Sequence, residues 1–270
     1  MNIKRKWIIA LTLTAAVLSG GRAAAAGSLV VNGTAVETAG TYVYEDTTYV
    51  SLRAVAQALR PDAEILWEDG QALVQAGDLS LSAQPGECYI EANGRALYVP
   101  GGVHMEEGRT AVPVRVLAEA MDAQVEWEAD TGTVTVTGGG AITPAGLYYD
   151  EEDLYWLSRI ISAESRGEPL LGQVAVGNVI LNRVASPEFP DSIYEVIFDQ
   201  RWGGQFEPVR SGAIYEEPAL SSVLAAKLCL EGANAAGDSL YFLAPALAGN
   251  FWIMEERTHV TTIGSHWFYR

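Results

Sequence analysis

The 270-residue sequence predicts an α+β protein in which a duplicated small α+β module precedes a mainly helical domain with a small β-sheet. Three observations lead there. Between Leu29 and Thr137 the chain repeats itself at an offset of about 61 residues: Asn32 returns as Asn93, Arg53 as Arg115 and Trp67 as Trp127. From Leu154 onward, apolar residues recur at three- and four-residue steps in segments long enough for helices. From Thr258 to Arg270 the pattern changes to a closing hairpin turned at Gly264-Ser265.

The chain opens with Lys4, Arg5 and Lys6, an apolar run from Trp7 to Leu18, and the small residues Ala23 to Ala26. That order is a secretory signal peptide, expected over residues 1–26 and removed on export. Its apolar run is too short for a comfortable membrane span, so no membrane-spanning segment is expected after removal. No cysteine lies near the cleavage zone to carry a lipid anchor. The signal takes Lys4, Arg5, Lys6 and Arg22 with it, which leaves 13 Lys and Arg against 34 Asp and Glu. So acidic a chain repels phosphate backbones and anionic lipid, and nucleic acid is excluded as a partner. Cys88 and Cys229 are far apart, which rules out a disulfide framework and predicts two buried free thiols.

Residues 29–137 form the duplicated domain. Each copy reads as strand, Asn-Gly turn, strand, short amphipathic helix, then a hairpin of strands. In the second helix Val114, Leu117, Ala118 and Met121 share a face, and the closing hairpin alternates Val125, Trp127, Val134 and Val136. One copy cannot bury both a helix face and a sheet face, so the two are expected to share a core. Arg53 and Arg115 fall at helix starts, where satisfying local carbonyls or carboxylates is their expected role. His104 is the half's one histidine, and no cluster has metal-ligand spacing.

Residues 138–150, rich in glycine, read as a flexible linker, and residues 151–270 as the second domain. Glu151, Glu152 and Asp153 suit the first turn of a helix. Leu154, Leu157, Ile160, Ile161 and Glu164 then mark one helix face whose last member is a carboxylate, with Gly167 and Pro169 ending the helix. A carboxyl at the mouth of an apolar face is partly desolvated, which raises its pKa and suits a general acid for cleaving a sugar bond. A snorkelling or capping glutamate is the alternative. The helix from Leu170 to Val184 is apolar almost all round and is expected at the centre of the domain. Asn178 and Asn182 lie one turn apart on it, and local backbone or the opening helix is their default partner, with orientation of the site as the alternative. Trp202, Gln205 and Phe206 fall in a glycine-rich loop that reads as a cleft wall: aromatics to stack on sugar, an amide to bond an N-acetyl group. A loop merely pinned by its aromatics is the plainer reading. A third helix is expected over about Pro218 to Ala233, and a strand from Asp238 through Tyr241.

The first half resembles the stalk-like domain named after the N-terminal domain of copper amine oxidases, through Tyr49-Val-Ser-Leu-Arg-Ala-Val-Ala-Gln-Ala-Leu59 and Ala111-Val-Pro-Val-Arg-Val-Leu-Ala-Glu-Ala-Met121. The resemblance implies a wall-attachment or spacer module and no copper chemistry. The second half resembles the cell wall hydrolase family typified by the spore-cortex-lytic enzyme SleB. Ala163-Glu164-Ser165-Arg166-Gly167-Glu168-Pro169, Leu181-Asn182-Arg183-Val184, Gly204-Gln205-Phe206, Tyr241-Phe242 and Gly264-Ser-His266-Trp-Phe268 carry the match in order. It implies a lysozyme-like fold, peptidoglycan as substrate, a place in the cell wall or spore envelope, no cofactor and no metal. Its essential glutamate maps onto Glu164, with Gln205, Phe206, Tyr241 and Trp202 binding substrate and Ser165, Asn182 and His266 in support. Ser165 replaces the alanine usual there. The implied chemistry is lytic transglycosylation at the MurNAc-GlcNAc bond, which needs no second carboxylate; a hydrolase needs one, with Glu168, Asp199 and Glu207 as candidates. A zinc amidase is disfavoured by three scattered histidines. A non-catalytic wall-binding protein is the rival from another class.

Overall fold

The computed structural model describes residues 27–37, 40–201, 204–246 and 252–270. The signal segment 1–26 and Trp202 lie outside the described residues. In the first copy β1 (Leu29–Val31), β2 (Thr34–Val36), β3 (Tyr42–Tyr44), β4 (Thr47–Ser51), α1 (Leu52–Leu59), β5 (Glu64–Glu68) and β6 (Gln71–Ala76) follow one another. A strand outside the repeat, β7 (Leu79–Ala83), leads to the second copy: β8 (Tyr89–Ala92), β9 (Arg95–Tyr98), β10 (His104–Glu106), β11 (Arg109–Pro113), α2 (Val114–Ala120), β12 (Ala123–Glu128) and β13 (Thr133–Gly138).

Each copy has two strands more than the pattern predicts, the hairpins β3–β4 and β10–β11. Their turns place Glu45, Asp46 and Glu107 at φ of 45°, 59° and 49°. Acidic residues in the left-handed region do not announce a turn as Asn-Gly does.

The copies close on each other. β13 pairs in parallel with β1, Leu29 against Val134, and β11 pairs antiparallel with β4. The shared core takes Leu52, Val55 and Leu59 from α1 and Val114, Leu117 and Ala118 from α2. Ser51 caps α1 by accepting from the Ala54 N–H, whereas Pro113 in the equivalent place offers no side-chain cap.

The glycine-rich 138–150 stretch is not a loose tether. The Gly140 N–H donates to Met121 O, Arg60 and Asn93 donate to Gly140 O and Ile142 O, and Ile142 is buried in the first core. One buried aliphatic residue and a set of backbone partners outweigh the freedom that glycine confers. Cys88 and Cys229 are both free; Cys229 is buried but Cys88 only partly so, against expectation.

After the short α3 (Ala145–Tyr148), α4 (Glu151–Ser165) begins at Asp150, whose carboxylate accepts from the N–H groups of Glu152 and Asp153. Then come α5 (Leu170–Val184), α6 (Ile193–Ile197), α7 (Glu207–Ser211), α8 (Leu220–Leu230), β14 (Tyr241–Leu243), α9 (Trp252–Glu256), β15 (His259–Ile263) and β16 (His266–Tyr269), the strands ordered β14-β16-β15. Every residue from Gly172 to Ile180 is buried, so α5 is central as its composition demands. Gly177 lets it approach α4 and α8: a Cβ there would stand 2.6 Å from Cys229 Sγ and 2.8 Å from Ile161 Cδ1. Gly177→Ala gains helix propensity of up to about 1 kcal/mol, but the overpacking costs more. We expect a net loss of about 1–2 kcal/mol in denaturant unfolding.

The two units share a buried polar knot. Arg95 on β9 donates through Nε and Nη2 to the Glu231 carboxylate at 2.7 and 2.6 Å, and Tyr149 Oη donates to the same group at 2.6 Å. The Arg95 guanidinium lies 3.4 Å from the Tyr148 ring centroid, and Lys227 Nζ donates to Gly94 O at 2.7 Å. Burial alone would lower the pKa of Arg95; the Glu231 carboxylate reverses that and leaves it raised. Ala96, Tyr89 and Tyr98 of the first unit pack into the core of the second.

Candidate active site

Glu164 stands one residue before the end of α4, at the floor of a cleft of about 1400 Å³. α5 adds Arg183 to the floor, the loop from Gly204 to Glu207 forms one wall, and β14 and α9 form another with Tyr241 and Trp252. Glu164 makes no hydrogen bond or ion pair among the described residues. Burial raises its pKa to about 7; the Glu207 charge adds to the rise and the Arg183 charge opposes it. An unpaired carboxyl that holds its proton at neutral pH in an open cleft can donate that proton to a bound oxygen.

Arg183 is the cleft residue that sequence reading passed over. It is 5% exposed, and its Nε donates to Leu240 O at 2.8 Å. The guanidinium carbon lies 4.9, 5.3 and 5.6 Å from the ring centroids of Phe189, Phe206 and Tyr241. Its Nη1 is buried without a partner. Burial lowers its pKa to about 10, far enough above neutrality to keep it charged, while Tyr241, Asp199 and Glu164 oppose the shift. The signal was present: Arg183 is the one ionised side chain on a helix that is otherwise apolar or amide.

The remaining predicted residues divide. Gln205 and Tyr241 line the cleft, and Tyr241 packs edge-on against Phe189 and Trp252 at 6.3 and 5.8 Å. Arg257 lies over the Tyr241 ring at 4.8 Å. Phe206 also lines the cleft, but it is 4% exposed and packed into the core, so it shapes the wall and offers no face to a sugar ring. Trp252, 41% exposed, is the aromatic that sequence reading missed. Ser165 is turned away, its Oγ donating to Ile161 O at 2.7 Å within the helix. Asn182 is turned away as well: its amide donates to Gly237 O and Ser239 O, holding the chain that leads into β14. Asn178 bonds neither local backbone nor the opening helix: its amide donates to Ala233 O at 2.7 Å and accepts from the Ala235 N–H, which ties α5 to the chain just after α8.

His266 lines the cleft and is buried, with Nδ1 3.7 Å from the Glu168 carboxylate and no hydrogen bond. Burial lowers its pKa, which favours the neutral ring. Glu168 does not cap α5. It accepts from the backbone N–H of Ser265 at 2.8 Å and from the Ser265 hydroxyl, which pins the final hairpin to the end of α4 and holds its own pKa below the usual range. Gly264 permits that approach, since a side chain there would meet the carboxylate. Asp199 is committed to Arg201 at 2.9 Å. Glu207 is exposed at the cleft margin and is the second carboxyl closest in effect to Glu164.

Residues 167–269 match the Cell Wall Hydrolase family, and residues 30–136 match the Copper amine oxidase N-terminal domain. The second unit carries a cell wall hydrolase domain. The cell wall hydrolase domain is 39% identical to the "Spore cortex-lytic enzyme" of Bacillus cereus over 129 residues, 48% of this chain and 48% of that protein. It is 36% identical to the enzyme of the same name from Bacillus subtilis over 120 residues, 44% of this chain and 38% of that protein. The chain thus spans about half or less of the length of these curated relatives. The solved catalytic domain of the germination-specific lytic transglycosylase SleB from Bacillus anthracis is 38% identical, with a TM-score of 0.42, covering 47% of this chain and all of that one. Glu164 stands just before the matched span of the family, so its role rests on the cleft geometry.

Proposed function

We propose that this protein is a secreted peptidoglycan-cleaving enzyme that breaks the MurNAc-GlcNAc bond with Glu164, as a lytic transglycosylase acting on cell wall or spore cortex. The observation that carries the reading is the unpaired Glu164 carboxyl, protonated near neutrality at the floor of a long open cleft. The family match and the relatives' names support the choice of polymer. Protonated Glu164 donates to the glycosidic oxygen as the bond from that oxygen to muramyl C1 breaks. The resulting carboxylate takes the proton of the C6 hydroxyl, whose oxygen bonds to C1 and closes a 1,6-anhydro ring. Water is not consumed and Glu164 ends protonated, ready for the next cycle. Tyr241 and Trp252 supply the aromatic wall for sugar rings, and Gln205 supplies an amide for an N-acetyl group.

A hydrolase is the second reading, because Glu207 lines the same cleft and acts on the charge of Glu164. Mass spectrometry of fragments released from purified peptidoglycan separates the two. Anhydromuramyl ends from the wild type and from Glu207→Gln alike support the transglycosylase. Reducing ends that vanish in Glu207→Gln support the hydrolase. Cut peptides with intact glycan defeat both.

The cleft charges predict a pH profile. Glu164 must hold its proton to act, so the rate falls as pH rises through about 7. Arg183 opposes the upward shift, so Arg183→Met moves the alkaline limb to higher pH. It also slows the reaction, because the carboxylate formed on proton transfer loses its nearest cation. An unmoved limb with a reduced rate would assign Arg183 to packing alone.

A further inference from the structure

Two tryptophans of the first unit stand in solvent at matching places. Trp67 is 52% exposed and Trp127 is 51% exposed, a large apolar area to leave wet. Each lies two residues beyond an aliphatic side chain packed against the core, Ile65 on β5 and Val125 on β12. Strand side chains alternate, so each indole leaves on the face that its helix covers. The acidic neighbours Glu64, Glu68, Glu126 and Glu128 take the opposite face.

At the start of each helix is an arginine, Arg53 or Arg115. Sequence reading expects them to satisfy local carbonyls or carboxylates, and they do not: both are exposed and neither makes a hydrogen bond or ion pair among the described residues. The contrast is sharp in a chain of formal charge −17. Arg60, Arg159, Arg166, Arg201 and Arg270 all have carboxylate partners. In the first copy Arg53, Gln57, Ile65, Trp67 and Arg109 line one groove of about 380 Å³, with Glu37 also on its wall. The pair of Arg109 with Glu107, at 3.7 Å, is solvent-exposed and weak.

We propose that the Arg53–Trp67 groove binds an anionic glycan strand, with a sugar ring on the indole and a polymer carboxylate at the guanidinium, and that the repeat residues Arg115 and Trp127 engage the same strand. An indole face suits the apolar face of a sugar, and its exposure leaves that face available. The rest of this acidic surface repels an anionic polymer, so the unpaired cations decide where it can approach. The Arg and Trp repeated on one chain suit a repeating ligand, because the second contact forms at high effective concentration; Glu119 and Asp122, which line the cavity beside Arg115, make the first groove the stronger site. The choice of peptidoglycan as the polymer rests on the wall-cleaving reading; its lactyl and peptide groups supply the carboxylates.

The test is co-sedimentation with insoluble peptidoglycan sacculi, using the full chain carrying Glu164→Gln so that the polymer stays intact. Trp67→Ala with Trp127→Ala, and separately Arg53→Gln with Arg115→Gln, are added to that background. Chitin serves as an uncharged glycan. The expected result is retention of the parent on sacculi, released by salt, and roughly tenfold weaker retention of each double variant, the scale of losing interface anchors. The arginine variant keeps every aromatic in place, which guards against a loss due to misfolding. Equal retention of the parent and both variants overturns the proposal, as does a parent that stays in solution. Equal retention on chitin overturns the anionic assignment. Binding is read without cleavage, so failure of the wall-cleaving reading appears in the fragment assay and failure of this one here.

Discussion

Replacing Glu164 by Gln is expected to abolish glycan cleavage, by a thousandfold or more, and to make the protein more stable at alkaline pH. The loss follows from chemistry: an amide is nearly the same shape, but it can neither give a proton to the glycosidic oxygen nor take one from the C6 hydroxyl. The gain follows from linkage. The folded-state pKa of about 7 exceeds the ordinary carboxylate value of 4.5, so between those pH values the folded state holds a proton that the unfolded state has released. Stability therefore falls as pH rises across that window, and above it the buried charge costs on the order of 2–3 kcal/mol. Gln carries no such cost. Below about pH 4 the two proteins should unfold alike, and at pH 8 the variant should unfold at higher denaturant concentration. Cleavage by Glu164→Gln would remove the residue from the mechanism. Equal stability at pH 8 would mean that the carboxyl is better solvated than its surroundings indicate.

The second large effect is expected at the junction of the two units. Glu231→Ala leaves the Arg95 guanidinium, whose side chain is 6% exposed, with only the largely exposed Glu119 carboxylate at 3.6 Å, and strips Tyr149 of its acceptor. Breaking a buried pair from one side costs about 3–5 kcal/mol, because the remaining charge keeps its desolvation penalty. Removing both charges, as Arg95→Met with Glu231→Leu, should recover most of that loss. Chemical denaturation of the wild type, Arg95→Met, Glu231→Leu and the double variant gives the coupling directly. A single variant within about 1 kcal/mol of the wild type would show that water or Glu119 satisfies Arg95. The functional consequence lies in α8, which Glu231 follows as its C-cap and which packs on both α4 and α5, the helices carrying Glu164 and Arg183. The polar knot thus ties the first unit to the scaffold of the cleft.

Several elements could be read from residue order because their cause is local. The Asn-Gly hairpins, the amphipathic α1 and α2, the apolar α5 and the Gly264-Ser265 turn all announce themselves by period or by turn residues. The β3–β4 and β10–β11 hairpins do so less plainly, since the first turns on Glu45-Asp46 and the second on Glu107-Gly108, without the asparagine of the Asn-Gly turns. The 138–150 stretch misleads in the other direction: its glycines suggest freedom, while Ile142 and Tyr149 are buried and fix it.

The same division holds at the cleft. Position, as the charged end of an apolar stripe closed by Gly167 and Pro169, and the family resemblance together marked Glu164. Its neighbourhood was not visible there. That Glu168 serves the final hairpin, that Asn182 faces the chain before β14, and that Phe206 lies in the wall are facts of long-range contact. The clearest case is Arg183, which looks like the end of a buried helix until the rings of Phe189, Phe206 and Tyr241 are placed around it. Residue order by itself determined the α+β class, the duplication, the acidic charge and the candidate acid, because periodicity, repetition and composition are properties of a chain. Only the tertiary structure decided which charges are paired, which aromatics are wet and what surrounds Glu164. Desolvation and Coulomb interactions depend on distance in space, and folding sets that distance.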